Sequence, residues 1–237
     1  MTAVTAAQRR VVVTGAGRGL GRALATGFIE GGAAVWGTSR GDQPLPGAAG
    51  HLRLDLQDEA SIKAAADAFR AETDGLDLLV NCAGTDARAF GADENTRGPF
   101  DIDPEVFGAV LQVNTTGPML TTRAFVDLLR AGQGPMIVNV TSQLGSLQVA
   151  SRKGRDIAYG ASKAALNLVS VRTATALADD GIGVVMLHPG WINTDMGGPS
   201  AEFDLPAIAR TIVTTIEALT LEDSGRFIRW DGYDHPW

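Results

Sequence analysis

Cysteine is all but absent: Cys82 stands alone among 237 residues. That excludes an internal disulfide framework and any zinc or iron–sulfur site built from several thiolates. Histidine is nearly as scarce, and His51, His188 and His235 are too scattered to offer metal-ligand spacing. No apolar run reaches the ~18 residues that a membrane span needs, and the opening MTAVTAAQRR lacks the apolar stretch of a secretion signal. Positive charge is in the minority, with 20 basic residues against 27 acidic ones and a net charge of −7. Such a balance supplies no global field to hold nucleic acid or an anionic membrane. Only 3 of the basic residues are lysines, so each lysine asks for a reason. What is present in quantity is apolar material, at 45%, together with 29 glycines. The expectation is one soluble, cytoplasmic domain over 1–237, with residues 1–8 as a flexible extension.

Short β-branched runs recur at 10–14 (RVVVT), 33–38 (AAVWGT), 76–81 (LDLLVN), 136–141 (MIVNVT) and 183–188 (GVVMLH). Their apolar residues are contiguous rather than alternating, which suits strands covered on both faces. Helical patterns lie between them. Leu20, Leu24 and Phe28 mark one buried stripe, and 58–71 and 159–178 read as helices too. Asp103 and Pro104 form the N-cap and first-turn pairing of a helix running on towards Leu129. This alternation predicts an α/β fold: a single Rossmann-type, doubly wound domain with a mainly parallel sheet of about seven strands flanked by helices. Two long connections, 85–103 and 143–157, follow strands at the ends where such sheets bind ligands.

The first strand runs directly into Thr14-Gly15-Ala16-Gly17-Arg18-Gly19-Leu20-Gly21 and then a helix. Glycines there let backbone N–H groups approach a pyrophosphate, and the helix N-terminus adds partial positive charge. At the end of the second strand, where an acidic residue would hold a ribose 2′-hydroxyl, the chain reads Thr38-Ser39-Arg40, with no carboxylate until Asp42. Arg18 and Arg40 with the Ser39 hydroxyl suit a phosphate dianion, so NADP(H) is favoured over NAD(H). Tyr159 and Lys163, four apart on a helix, share a face. An ammonium beside a phenol favours the phenolate and lowers a reference pKa of ~10. Ser142, at the end of the preceding strand, is placed to hydrogen-bond a substrate oxygen.

TGAGRGLG, Asn81-Cys82-Ala83-Gly84, Asn114, Ser142, Tyr159-x-x-x-Lys163 and Pro189-Gly190-x-x-x-Thr194 occur in the order found in short-chain dehydrogenases/reductases, and the chain resembles that family over about residues 9–237. The 17-residue spacing from Ser142 to Tyr159 and the endings HPGWINTDMGGP and LTLEDSGRFIRWDGYDHPW resemble the subgroup of sniffer-type carbonyl reductases and bacterial C-factor proteins. The resemblance implies that Tyr159 exchanges a proton with a carbonyl or alcohol oxygen and that Ser142 hydrogen-bonds that oxygen. Lys163 would hold the nicotinamide ribose, and Asn114 would anchor a water of the proton relay. It also implies cofactor contacts at Gly15, Arg18, Gly19, Leu20, Ser39, Arg40, Asp55, Leu56, Asn81, Ala83, Gly84, Tyr159, Lys163, Pro189, Gly190, Ile192 and Thr194. Asn114 followed by Gly117-Pro118 further suggests a local bend in its helix.

The activity implied is NADPH-dependent reduction of a ketone or aldehyde to an alcohol, or the reverse, on a small-molecule substrate. A dinucleotide-binding signalling or redox-sensing protein of C-factor type is the alternative, and a methyltransferase on a similar sheet fits the Tyr-x-x-x-Lys helix poorly. The family also implies a homodimer or homotetramer, to which the stripe of Ala164, Leu168 and Val171 could contribute if it does not pack on the sheet. Arg152, Lys153 and Arg155 could meet an anionic substrate or simply be solvated. Gly197 and Gly198 suggest a mobile lid. Trp191, Phe90, Leu144 and Leu147 are candidates for the apolar wall of a pocket for an uncharged or aromatic carbonyl compound.

Overall fold

The contiguous apolar runs become the interior of one parallel sheet. A computed structural model describes residues 8–150 and 156–237. Its strands are β1 (Arg10–Val13), β2 (Ala34–Ser39), β3 (Gly50–Arg53), β4 (Leu78–Asn81), β5 (Met136–Val140), β6 (Gly183–His188) and β7 (Phe227–Arg229), in the order β3-β2-β1-β4-β5-β6-β7. Every neighbouring pair is parallel. The chain winds outward in one direction from β1 and in the other from β4. The crevice at their carboxyl ends is where a doubly wound sheet receives a ligand.

Period-two alternation sends Val11 and Val13 into one core layer and Val12 into the other. The first layer is closed by α1 (Gly19–Glu30) and α7 (Leu205–Glu217), which pack on each other. The second is closed by α2 (Glu59–Glu72), α4 (Gly117–Arg130) and α6 (Ile157–Ala176). Here Trp36 meets Phe69 edge to face and Phe69 meets Phe125 at a tilt, with ring centroids 4.8 Å and 5.7 Å apart. Each such side chain, fully buried, contributes about 1.5–3 kcal/mol. The Trp36 indole N–H donates to Glu72 Oε2 at 2.9 Å, which satisfies its one polar atom. Two short helices complete the chain, α3 (Pro104–Leu111) and α5 (Leu147–Ala150).

The helix expected from Pro104 to Leu129 is interrupted. Between α3 and α4 the residues Gln112–Thr116 form a π-helical turn, and Asn114 sits within it, fully buried. The Gly117-Pro118 pair that follows explains the break, since proline removes a donor from the ladder. Helix α6 starts at Ile157, two residues before Tyr159, and its first turn is capped by Asp156, whose Oδ1 accepts from the Tyr159 N–H at 2.9 Å.

Candidate active site

The glycine-rich turn lies against the end of β4. Thr14 Oγ1 accepts from the Cys82 and Ala83 amides at 3.0 and 3.1 Å, pinning the two strand ends together. Gly15 has φ +73°, and a Cβ there would meet Ala83 Cα at 2.9 Å, so only glycine permits this approach. Arg18 occupies the N-cap of α1 but gives no side-chain hydrogen bond to the helix, leaving the first-turn amides without a side-chain acceptor. Thr38 Oγ1, near the end of β2, is buried and has no hydrogen-bond partner among the described residues. A cradle that a Cβ would fill, uncapped helix amides and an orphaned hydroxyl together fit a dinucleotide with its phosphates on the α1 N-terminus.

Ser39 Oγ donates to the Gly41 carbonyl at 2.8 Å and lies 2.9 Å from His51 Nε2. Because the serine hydrogen goes to the carbonyl, His51 is the donor of that second contact. His51, on β3, is thus a partner of Ser39 that sequence reading missed. Arg40 is exposed, and among the described residues it has no ion-pair partner. The Arg18 guanidinium pairs with Asp195 at 2.6 Å, with both side chains about 80% exposed (80% and 81%). Exposed pairs of this kind contribute little stability, so Arg18 remains available to a stronger anion.

The Asn81 side chain turns away from the cleft. Its residue is 2% exposed, and its amide donates to Asn139 Oδ1 at 2.8 Å within the core, leaving only its main chain near the cleft. The register explains this, because Val80 faces the α1 layer and Asn81 must then face the other. Ala83 is partly buried and Gly84 exposed at the end of β4; a Cβ on Gly84 would lie 3.3 Å from Asn114 Oδ1 and 3.5 Å from Lys163 Nζ. Asp55 accepts from the Gln57 amide, while Asp58 caps α2 and Leu56 is buried. Gly19 and Leu20 open α1.

Ser142 follows β5, and its Oγ accepts from the Leu144 amide at 3.1 Å as the cap of a 3-10 turn. Lys163 is 3% exposed, and its Nζ donates to the Val140 carbonyl at 2.9 Å and lies 5.7 Å from the Tyr159 ring centroid. Burial pushes the Tyr159 phenol up to about 12, with a hydrogen bond to Ser142 acting the other way, and it pushes Lys163 down to about 8. The expected lowering of the phenol by its ammonium neighbour is therefore not realised in this arrangement. Loss of water is the main cause, the negative charges of Asp86 and Asp156 add to it, and the lysine hydrogen is directed at the Val140 carbonyl. Asn114 accepts from the Thr85 amide and donates to the Thr85 carbonyl, each at 2.8 Å, and donates to Ser162 Oγ at 2.9 Å. Ser162 in turn donates to the Tyr159 carbonyl at 2.7 Å. Asp156 Oδ2 accepts from the Ala87 amide at 3.3 Å, tying the helix of Tyr159 to the loop after β4. Neither Asp156 nor Ser162 was singled out from sequence, although Asp156 stands three residues before Tyr159, the spacing of a helix cap.

Pro189, Gly190, Ile192 and Thr194 follow β6. The segment read as a lid carries several hydrogen bonds. The Gly198 amide donates to the Thr194 carbonyl at 2.8 Å, Trp191 Nε1 to the Gly197 carbonyl at 2.9 Å, and Arg88 to the Met196 carbonyl at 2.7 Å. Phe90 packs with Ala87, Val110 and Ala158, whereas Leu147 is exposed and forms no wall; Leu144 is half-buried. Arg152, Lys153 and Arg155 lie outside the described residues.

Residues 9–204 match the family profile described as short chain dehydrogenase. The C-signal protein of Myxococcus xanthus is 37% identical over 167 residues, covering 70% of this chain and 95% of that protein. The carbonyl reductase Sniffer of D. melanogaster superposes with a TM-score of 0.87 at 27% identity, covering 97% of this chain and 100% of that one. An NADPH-bound carbonyl reductase from chicken fatty liver gives 0.85 at 28% identity, covering 97% and 99%. The chain belongs to the short-chain dehydrogenase/reductase family. It is an oxidoreductase of Rossmann-type fold, in the sniffer and C-factor branch that its spacing indicates. Among the described residues this dehydrogenase/reductase has no cluster that could hold a metal ion, and no helix long and apolar enough to cross a membrane.

His188, at the end of β6, is 6% exposed, and burial, aided by His235 and Arg229, pushes it down to about 3. The unfolded chain takes up a proton near pH 6.5 that the folded imidazole refuses until about pH 3. Stability is therefore full above pH 6.5 and falls as pH drops through that window, by at most ~1.4 kcal/mol per pH unit. Urea midpoints between pH 7 and pH 4 should fall less steeply for His188→Asn than for the wild type; equal slopes would remove His188 from the acid response.

Proposed function

We propose that this chain is an NADPH-dependent carbonyl reductase. The observation that carries the reading is the convergence of Ser142, Tyr159 and Lys163 at the carboxyl end of β5, beside a cradle shaped for a dinucleotide. Gly15, Gly19, Leu20, Ala83, Gly84, Pro189, Gly190, Ile192 and Thr194 would line that cradle, with Asp55 and Leu56 towards the adenine. When bound, reduced nicotinamide supplies a hydride to carbon. This chain's own part is the oxygen. The Ser142 hydroxyl orients the carbonyl, and Tyr159, protonated at neutral pH with its phenol near 12, gives its proton to the oxygen as charge develops there. Lys163 then steadies the phenolate, and the opened ladder at Asn114 gives access for a relay water. The similarity to the sniffer carbonyl reductase supports the reaction, and that to the NADPH-bound chicken-liver enzyme supports both cofactor and reaction.

NADPH oxidation in the presence of ketones, aldehydes and quinones tests the reading. Turnover of any of them supports it, and tight NADPH binding with no turnover anywhere supports the second reading. That second reading, a dinucleotide-binding signalling protein, is favoured by the similarity to the C-signal protein. For the cofactor, Arg40→Ala is expected to weaken NADPH binding about tenfold or more, from lost charge-assisted hydrogen bonds, with little change for NADH. Fluorescence titration reads both constants, and equal losses would contradict a 2′-phosphate at Arg40.

On α6 the residues facing the sheet are Ser162, Lys163, Leu166, Asn167, Ser170 and Ala174, whereas Leu168 is 66% exposed with Ala164 and Val171 half-buried around it. The stripe faces outward, which supports a homodimer or homotetramer through this helix. Size-exclusion with light scattering, on wild type and Leu168→Glu, checks the assembly.

A further inference from the structure

His51 belongs to none of the sequence motifs, yet the fold brings it to Ser39. On β3 it lies in register with Gly37 of β2. Register partners and residues two apart share one face of a sheet, so His51, Gly37 and Ser39 do. Gly37 has no side chain to fill that face, and the imidazole reaches along it until Nε2 lies 2.9 Å from Ser39 Oγ. The backbone around the pair is fixed from both sides. The Leu54 amide donates to the Ser39 carbonyl at 2.9 Å, and the Ala16 amide of the glycine-rich turn donates to the Thr38 carbonyl at 2.8 Å. A Cβ on Gly17 would stand 3.3 Å from Ser39 Cβ, so the glycine-rich turn lies directly against this serine.

Between the turn and the ends of β2 and β3 is a notch of about 10 Å³, room for about one water. Ala16, Gly17, Ser39, Gln43 and His51 form part of its wall, and no residue lining it is acidic. The hydrogen count at Ser39 is what matters. A serine hydroxyl has one hydrogen to give and two lone pairs to fill. Its hydrogen goes to the Gly41 carbonyl at 2.8 Å, an exposed contact two residues along, and the His51 Nε2–H fills a lone pair. A charged acceptor forms a hydrogen bond roughly twice as strong as a neutral one. A phosphate oxygen therefore wins the serine hydrogen from the Gly41 carbonyl, whereas an uncharged ribose hydroxyl gains little by taking it. When the hydrogen swings, the bond from His51 is what keeps the oxygen in place.

We propose that His51 is a positioning residue that sets cofactor specificity: its Nε2–H holds the Ser39 oxygen while the serine hydrogen turns from the Gly41 carbonyl to the 2′-phosphate of NADPH. The inference rests on the NADPH reading, in which Ser39 and Arg40 meet that phosphate; His51 acts through Ser39. Adenosine 2′,5′-bisphosphate and adenosine 5′-monophosphate differ only in the 2′-phosphate, and calorimetric titration of the protein gives both dissociation constants. Wild type is expected to bind the bisphosphate about tenfold or more tighter. His51→Leu should weaken the bisphosphate about fivefold and leave the monophosphate within about twofold. His51→Gln, whose side-chain amide keeps a donor, should stay within about twofold of wild type for both. In a Ser39→Ala background, His51→Leu should cost nothing further, because the residue it acts through is gone. A bisphosphate preference that survives His51→Leu overturns the role of His51 and leaves the NADPH reading standing. Equal losses for the two nucleotides also overturn it, since they mark a general loss of structure. So does a loss that His51→Gln fails to restore, or one that recurs in full without Ser39. A wild type that binds both nucleotides equally sinks the NADPH reading at this corner, and the role of His51 falls with it.

Discussion

Tyr159→Phe is expected to lower kcat by ~10²–10⁴-fold while leaving NADPH affinity within about a factor of three. The phenol is the one group beside Ser142 that can deliver a proton at neutral pH, since the buried Lys163 directs its hydrogen to the Val140 carbonyl. Phenylalanine keeps the ring, its place on α6 and the cap at Asp156, so the loss isolates the hydroxyl. Stopped-flow NADPH oxidation measures the chemical step, and fluorescence titration measures the cofactor. A variant with wild-type turnover would remove Tyr159 from the chemistry and pass the role to a solvent proton. The pH dependence sharpens this. With the Tyr159 phenol near 12 and Lys163 near 8 before any ligand binds, the acid form persists across neutral pH. Reduction should therefore hold steady from pH 6 to pH 7 and decline as pH rises through about 8, where Lys163 loses its charge.

Much of the architecture was legible because it depends on local chemistry. Contiguous Val and Leu runs had to be strands covered on both faces. TGAGRGLG had to be a turn between β1 and α1, since Gly15 alone tolerates Ala83 at that distance. The break at Asn114 followed from Gly117-Pro118. What stayed hidden depends on pairings between distant segments. Arg18 meets Asp195 across 177 residues, and no local pattern announces that. His51 reaches Ser39 only because β3 lies beside β2. The inward turn of Asn81 is a matter of strand register, which a motif does not encode. The balance between burial and charge at Tyr159 also needed the folded surroundings, because the same Tyr-Lys spacing on an exposed helix would lower the phenol.

Asn114→Ala is expected to destabilise the fold by about 3 kcal/mol, and it should reduce turnover as well. The side chain is fully buried and makes three hydrogen bonds, two to the Thr85 main chain and one to Ser162. Removing it leaves the Thr85 amide and carbonyl with one partner fewer, and a buried group left unpaired costs about 1–3 kcal/mol. The total falls short of three full penalties because the Ser162 hydroxyl keeps its bond to the Tyr159 carbonyl and water can enter the truncated site. The π-helical turn is the second element at stake. A widened turn in Gln112–Thr116 survives only where its surroundings hold it, and the Asn114 to Thr85 pair joins it to the loop after β4. Losing that link should let the turn relax towards an α-helix and shift Ser162, hence the first turns of α6 that carry Tyr159 and Lys163. Urea denaturation gives the stability, and a double-mutant cycle with Ser162→Ala gives the coupling, expected at about 1 kcal/mol. Asn114→Ala with wild-type stability would mean that the buried amide is idle, and the π turn would then need another cause. Loss of stability with unchanged kcat would confine Asn114 to the fold and remove it from the relay.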